Sequence, residues 1–221
     1  MTHASPAARG LVLPGPFRAV VFDMDGILLD SEPLWIRVFA EAAARHGNTY
    51  GDADRPGTLG QPLSVTARYL ADKVGISVEA MQAELAETMR EEYLAGPPLV
   101  AGAGALVAAL TGVLPMAVAT NTLGDVATKA LAASGLHGFN AIVSGADIGR
   151  PKPHPGVYRE ACRRLGVDPA HAVAFEDSVV GIRSALDAGL TVVAVPQEGV
   201  DLDGAGAHVL LASLRDVVVE R

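Results

Sequence analysis

The sequence predicts an α/β fold in which parallel strands alternate with crossover helices and an all-helical segment interrupts the chain after the first strand. Three observations predict it. Arg18 to Phe22 is a short apolar run with two β-branched residues that empties at once into Asp23, Asp25 and Gly26, as a buried strand empties into a polar loop. From Pro33 to Tyr93 the apolar residues recur only at helical spacing. From Leu106 onward, short β-rich runs alternate with helical patterns, the rhythm of strands joined by crossover helices.

Taken in order, Leu34, Trp35, Val38, Phe39, Ala42 and Ala43 share one helix face. Ser31 and Pro33 suit its start and Gly47 its end. Residues 48–60 are polar and Gly-rich and read as a loop. Leu63, Ala67, Leu70 and Val74 mark a second helix. Val78, Met81, Leu85, Met89 and Tyr93 mark a third, which Gly96, Pro97 and Pro98 break. Beyond the break, Leu106 to Leu110 reads as helix and Pro115 to Thr120 as strand. Val126 to Leu131 is helix, Ala141 to Ser144 strand, and Pro155 to Leu165 helix. Ala172 to Phe175 is strand, Val179 to Leu186 helix closed by Gly189, and Thr191 to Val195 strand. A last strand falls at Val209 to Leu211, with a short helix from Leu214. Residues 1–16, rich in Ala, Pro and Gly, read as a flexible tail.

Composition narrows the function. Half of the 221 residues are hydrophobic and 19% are charged, which excludes a disordered chain. A net charge of -8 argues against a nucleic-acid partner, which requires a basic face. No apolar run is long enough to span a membrane, and the N-terminus lacks a secretory pattern, so a cytoplasmic protein without membrane contact is expected. The single Cys162 lies at helical spacing among Val157, Tyr158, Ala161 and Leu165 and reads as a buried thiol.

The chemistry-bearing residues gather by position. Asp23 and Asp25 end the first strand, Thr120 and Asn121 the second, and Glu176 and Asp177 a later one. Lys152 sits in the Pro-rich loop GRPKPHP before a helix. Strand ends of a parallel sheet open onto one edge, where such sheets bind ligands. Carboxylates crowded there are costly without a cation. Mg²⁺ suits oxygen ligands and shares its coordination with substrate phosphates. Thr120, Asn121 and Lys152 supply hydroxyl, amide and ammonium donors for phosphate oxygens. Blander readings exist for each: Thr120 as a helix cap, Lys152 as a solvated charge, Asp177 as the cap of the helix from Ser178.

The segments FDMDGILLDSEP (22–33), ATNT (119–122), GRPKPHPGVY (149–158) and FEDSVVGIRSALDAG (175–189) occur in this order. Together they resemble the haloacid-dehalogenase-like superfamily, in its β-phosphoglucomutase and sugar-phosphatase branch, over about residues 17 to 196. The resemblance implies a Rossmann-like catalytic core over 17–31 and 99–221 and a helical cap over 32–98. The links near 30–32 and 95–99 would let the cap close over a substrate. It implies Asp23 as the nucleophile that becomes an aspartyl phosphate, and Asp25 as general acid and then base. Thr120, the Asn121 N–H, Lys152 and the Gly26 turn would hold the phosphoryl group. Mg²⁺ would be held by Asp23, Asp177 and the Asp25 carbonyl, with Glu176 acting through water.

The chain also departs from β-phosphoglucomutases. Trp35 stands where they carry a His and Leu63 where they carry an Arg for a second phosphate. Hydrolysis of a small phosphate ester is therefore expected over mutase chemistry. DSEPLW and TLGQPLSV are similar to 2-deoxyglucose-6-phosphate and hexitol phosphatases, and Thr58, Gly60, Gln61 and Ser64 are expected near the substrate. A monomer is expected. A β-phosphoglucomutase-type mutase and a non-catalytic phosphate-accepting signalling or binding protein are the alternatives. Lys73, the lone cap lysine, lies too far down its helix to serve as a Schiff base.

Overall fold

The computed structural model of the chain describes residues 11–58, 63–197 and 199–220. Its main sheet is six-stranded and wholly parallel. The chain runs through β1 (Leu11–Leu13), β2 (Ala19–Phe22), α1 (Glu32–Arg45), α2 (Leu63–Val74), α3 (Val78–Leu94) and α4 (Ala103–Leu110). It continues through β3 (Met116–Thr120), α5 (Gly124–Ala133), β4 (Ala141–Ser144), α6 (Gly156–Leu165), β5 (Ala172–Glu176) and α7 (Val179–Ala188). It ends with β6 (Thr191–Ala194), β7 (Val209–Leu210) and β8 (Val217–Val219).

The order β4-β3-β2-β5-β6-β7 makes β2 the turning point of the sheet. From β2 the chain winds outward through β3 to β4, then returns to β5 on the other side and winds outward to β7. Loops leave opposite faces at such a switch and open a crevice at the strand C-termini. Asp23, Thr120 and Glu176 stand at the ends of the adjacent strands β2, β3 and β5.

Strand alternation divides the core by size. Val20, Phe22, Met116, Val118, Val173, Phe175 and Val193 point to one face. There Phe22 stacks on Phe175 with ring centroids 5.3 Å apart. The same apolar cluster continues into Leu34, Val38, Leu70, Met81, Leu85 and Met89 of the inserted helices. On the other face the strands present Ala19, Ala117, Ala119, Ala172, Ala174 and Ala194, with Val21, Val143 and Val192. Small side chains there let α6 and α7 pack Tyr158, Cys162 and Ile182 close to the backbone. Cys162 is buried, and burial pushes its thiol up to about 11, so it is a packing residue and not a nucleophile.

Outside the main sheet one expectation fails and one is refined. The stretch 1–16 is not all tail: Leu11–Leu13 forms β1, parallel to β8 in a separate two-stranded sheet, and Leu13 is fully buried. Residues 1–10 lie outside the described residues. Three-residue runs such as LVL and VVV are too short for alternation to reveal a strand, and β1 has its partner at the far end of the chain. The polar loop 48–60 contains a 3₁₀ turn, Asp52–Gly57. Asp54 inside that turn is buried and accepts Lys73 Nζ at 2.5 Å, Tyr69 Oη at 2.8 Å and the Gly51 N–H at 2.8 Å. Lys73 is thus committed to pinning this loop onto α2.

Candidate active site

Asp23 leaves β2 with its N–H donating to the Phe175 carbonyl at 3.0 Å, which fixes it against β5. Its side chain meets Lys152, whose Nζ donates to Asp23 Oδ1 at 2.6 Å and to Glu176 Oε1 at 2.7 Å. Lys152 is buried, so it is not a solvated loop charge. Asn121 holds the loop that delivers it: Oδ1 accepts the Lys152 N–H at 2.8 Å. The Asn121 Nδ2 donates to the Lys152 carbonyl at 3.4 Å. His154 orders the next turn, its Nδ1 accepting the Gly156 N–H at 2.9 Å.

Glu176 is fully buried and fully engaged. Besides Lys152, Oε1 accepts Tyr158 Oη at 2.5 Å. Its Oε2 accepts the Ser178 hydroxyl and the Asp177 N–H, each at 3.2 Å. Asp177 is not the helix cap; Ser178 is, accepting the Gly181 N–H at 3.1 Å. That leaves the Asp177 carboxylate free to face the crevice. Single oxygens of Asp23, Glu176 and Asp177 lie within 4.8 Å of one another. Gly26 has φ +77, and a Cβ there would overlap the Asp177 carboxylate. Gln197 Nε2 donates to the Gly26 carbonyl.

Asp25 is held by hydroxyls. Tyr93 Oη, from the end of α3, donates to Oδ1 at 2.5 Å, and Thr122 Oγ1 donates to Oδ2 at 3.2 Å. Thr120 is buried at the end of β3 and accepts the Thr122 N–H at 3.0 Å, a local turn and not a helix cap. The sequence pattern assigns no site role to Tyr93, Thr122, Tyr158 or Gln197. Tyr93 and Tyr158 fall on apolar helix faces, where a hydroxyl reaching a carboxylate leaves no trace in the pattern.

Asp23, Asp25, Gly26 and Asp177 line one end of a cavity of about 680 Å³. Trp35, Phe39, Thr58, Leu63 and Thr66 from the inserted segment line it as well. Ser64 is exposed and does not line it, and Gly60 and Gln61 lie outside the described residues. The Thr58 hydroxyl is taken up by Tyr50 Oη at 2.7 Å and the Asp54 carbonyl at 3.1 Å. Lys152, Glu176 and Thr120 stand behind the carboxylates rather than in the cavity wall.

Burial lifts the Asp23 carboxyl to about 7; Lys152 opposes the rise, and Glu176 and Asp25 add to it. Burial raises Asp25 too, against the donors Tyr93, Ser31 and Thr122. Asp177 is raised well above the carboxylate range by burial and by Asp23 and Glu176. A buried cluster with more acid than base is relieved by a divalent cation, and the oxygen-only donor set fits Mg²⁺.

A pH dependence follows. In metal-free protein, folded Asp23 keeps its proton to about pH 7, whereas an unfolded Asp loses it near ~4. The folded state then binds the extra proton across that window, so stability falls as pH rises through it. Asp25 and Asp177 shift in the same sense. Thermal melts in chelator should show the midpoint falling from pH 5 to pH 8, and Mg²⁺ should stabilise most at the upper end. A midpoint rising with pH in chelator would contradict this electrostatic picture.

A crevice at the sheet's turning point, with acids at adjacent strand ends and one buried ammonium delivered by the loop before α6, defines a class of hydrolases built on a parallel α/β sheet. The Haloacid dehalogenase-like hydrolase family model matches residues 20–195, and the chain belongs to that family. Among curated proteins it is 32% identical to validoxylamine A 7'-phosphate phosphatase from Streptomyces hygroscopicus subsp. limoneus, over 91% of this chain and 96% of that one. It is 31% identical to fructose-1-phosphate phosphatase from Escherichia coli, over 81% and 96%. Among solved structures it is similar to CbbY from Rhodobacter sphaeroides in complex with phosphate. That match has 28% identity and a TM-score of 0.72, covering 90% of this chain and 95% of the other. No helix among the described residues is long and apolar enough to cross a membrane.

Proposed function

We propose that the protein is a Mg²⁺-dependent phosphatase acting on a small phosphate monoester, a sugar or sugar-alcohol phosphate. The observation that carries this reading is the convergence of Asp23, Lys152, Glu176 and Asp177 beside a cavity of about 680 Å³, room for a small leaving group. The phosphatases among the relatives point the same way.

Asp23 attacks phosphorus and takes the phosphoryl group as an acyl phosphate, which water then cleaves. Lys152, already paired with Asp23, meets the charge that moves onto the transferring oxygens. Asp25 gives a proton to the leaving oxygen in the first step and takes one from water in the second. Thr120, whose Oγ1 accepts the Thr122 N–H and keeps its own proton to donate, and the Asn121 N–H, both just behind the lining carboxylates, would meet the phosphoryl oxygens of an ester seated against Asp23. Mg²⁺ would be held by Asp23, Asp177 and the Asp25 carbonyl, and would offset the charge of the acids and of the phosphate. Glu176, its oxygens taken up by Lys152, Tyr158 and Ser178, would act on that ion at one remove, and it keeps Lys152 in place. Residues 32–98 act as a cap that closes the cavity against water, hinged near 30–32 and 95–99.

Incubation with Mg²⁺ and a panel of phosphate monoesters should release inorganic phosphate, and chelation should abolish it. Release that persists in chelator, or none from any ester, would sink the proposal. Tyr93→Phe should separate positioning from packing. Loss of a donor to Asp25 should lower kcat/KM for alkyl phosphates by about tenfold. p-Nitrophenyl phosphate, whose leaving group needs little protonation, should suffer much less. Equal losses on both ester types would mean that Tyr93 serves packing alone.

A further inference from the structure

The cavity wall away from the carboxylates has a chemistry of its own. Val179, Val180 and Val200 line it from the core and are exposed by 56%, 48% and 42%. Trp35 and Leu63 face the same space from the helical segment. Exposed apolar side chains gathered around one cavity mark a ligand face. Trp35 leans on Phe39, with centroids 5.6 Å apart and planes at 34°, so its ring is held as a platform.

Among the described residues of this wall, the polar groups of Thr58, Thr66 and Gln197 are spent within the protein. Thr66 Oγ1 donates to the Thr58 carbonyl at 3.1 Å, the Thr58 hydroxyl is occupied as described above, and Gln197 Nε2 is bound to Gly26. The charged side chains that line the cavity are acids: Asp30 and Glu32 join Asp23, Asp25 and Asp177. Among the described lining residues there is no Lys, Arg or His. A second anion on the leaving group would face carboxylates without a partner. Among the described lining residues an open-chain polyol would find few free donors, and it would lose more rotamer freedom on binding than a ring. A ring with a C–H face suits a flat aromatic platform with valines around it.

Resting on the phosphatase reading, we propose that the alcohol released is uncharged and ring-shaped, its apolar face lying on Trp35, and that Trp35 sets this preference. The test compares initial rates with Mg²⁺ on glucose 6-phosphate, sorbitol 6-phosphate, glycerol 3-phosphate and glucose 1,6-bisphosphate. The ring monophosphate should exceed the hexitol ester and the bisphosphate by about tenfold in kcat/KM. Trp35→Ala should cut the ratio of ring ester to glycerol ester by about tenfold, and Trp35→Phe should restore most of it. Leu63→Arg should raise the relative rate on the bisphosphate, and it tests the wall independently if Trp35→Ala does not fold. Hydrolysis with the hexitol ester or bisphosphate equal to or above the ring ester would overturn the inference while leaving the phosphatase reading standing. Trp35→Ala lowering all esters in equal proportion would also overturn it. No turnover on any ester would overturn both.

Discussion

Asp23→Asn should abolish phosphate-ester hydrolysis and leave the protein folded. The amide keeps the size of the carboxyl but is too poor a nucleophile to form an acyl phosphate, so a loss on the order of 10⁴-fold or more is expected. The substitution should not weaken the fold. Asp23 is one of three acids whose oxygens crowd together, and burial already lifts its carboxyl to about 7. Removing its charge eases that crowding, and Lys152 keeps Glu176 as a partner at 2.7 Å. In chelator the variant should melt at or above the wild-type temperature, because like charges buried together destabilise. Rates of phosphate release and melting curves check the two halves separately. A variant that turned over near the wild-type rate would show that Asp23 is not the nucleophile.

Lys152→Met should damage both activity and stability. Lys152 is buried, bridges Asp23 and Glu176, and lies over the Tyr158 ring with Nζ 5.1 Å from its centroid. Met fills a similar volume but leaves those carboxylates with no cation. Breaking a buried ion pair from one side costs about 3–5 kcal/mol. In a chain of this size that lowers the melting temperature by about 10 °C. The loss should be largest at alkaline pH, where the stranded acids must stay charged, and should shrink as acid neutralises them. Mg²⁺ should recover part of the stability and none of the activity. A melting temperature indifferent to the substitution would mean that Lys152 is not the charge that holds the site together.

Much of this arrangement was legible in the sequence because it depends on local signals. The run into Asp23 and the short apolar segments before Thr120 and Glu176 mark strands directly. Parallel topology then brings their ends to one edge, whatever the exact element boundaries. The placement of Lys152 was legible through its Pro-rich loop, although the clamp that seats it, Asn121 on the Lys152 backbone, is a long-range contact. Where the reading fell short, the cause is also long-range. β1 is three residues paired with the opposite end of the chain. Tyr93 looks like one more apolar position of α3, and only folding shows its hydroxyl 2.5 Å from Asp25. Glu176, expected to serve the ion through water, keeps an oxygen within 4.8 Å of Asp23 and Asp177, and only folding shows that Lys152, from the loop before α6, and Tyr158, from α6, take up its Oε1.

The most direct test of the central claim looks for the covalent intermediate. Turnover with Mg²⁺ and a hydrolysed ester, quenched in acid and reduced with borohydride, converts an aspartyl phosphate into homoserine that peptide mass spectrometry locates. Conversion at position 23, dependent on both Mg²⁺ and ester, is the predicted result. Conversion at another acid, or none under conditions of steady turnover, would contradict it.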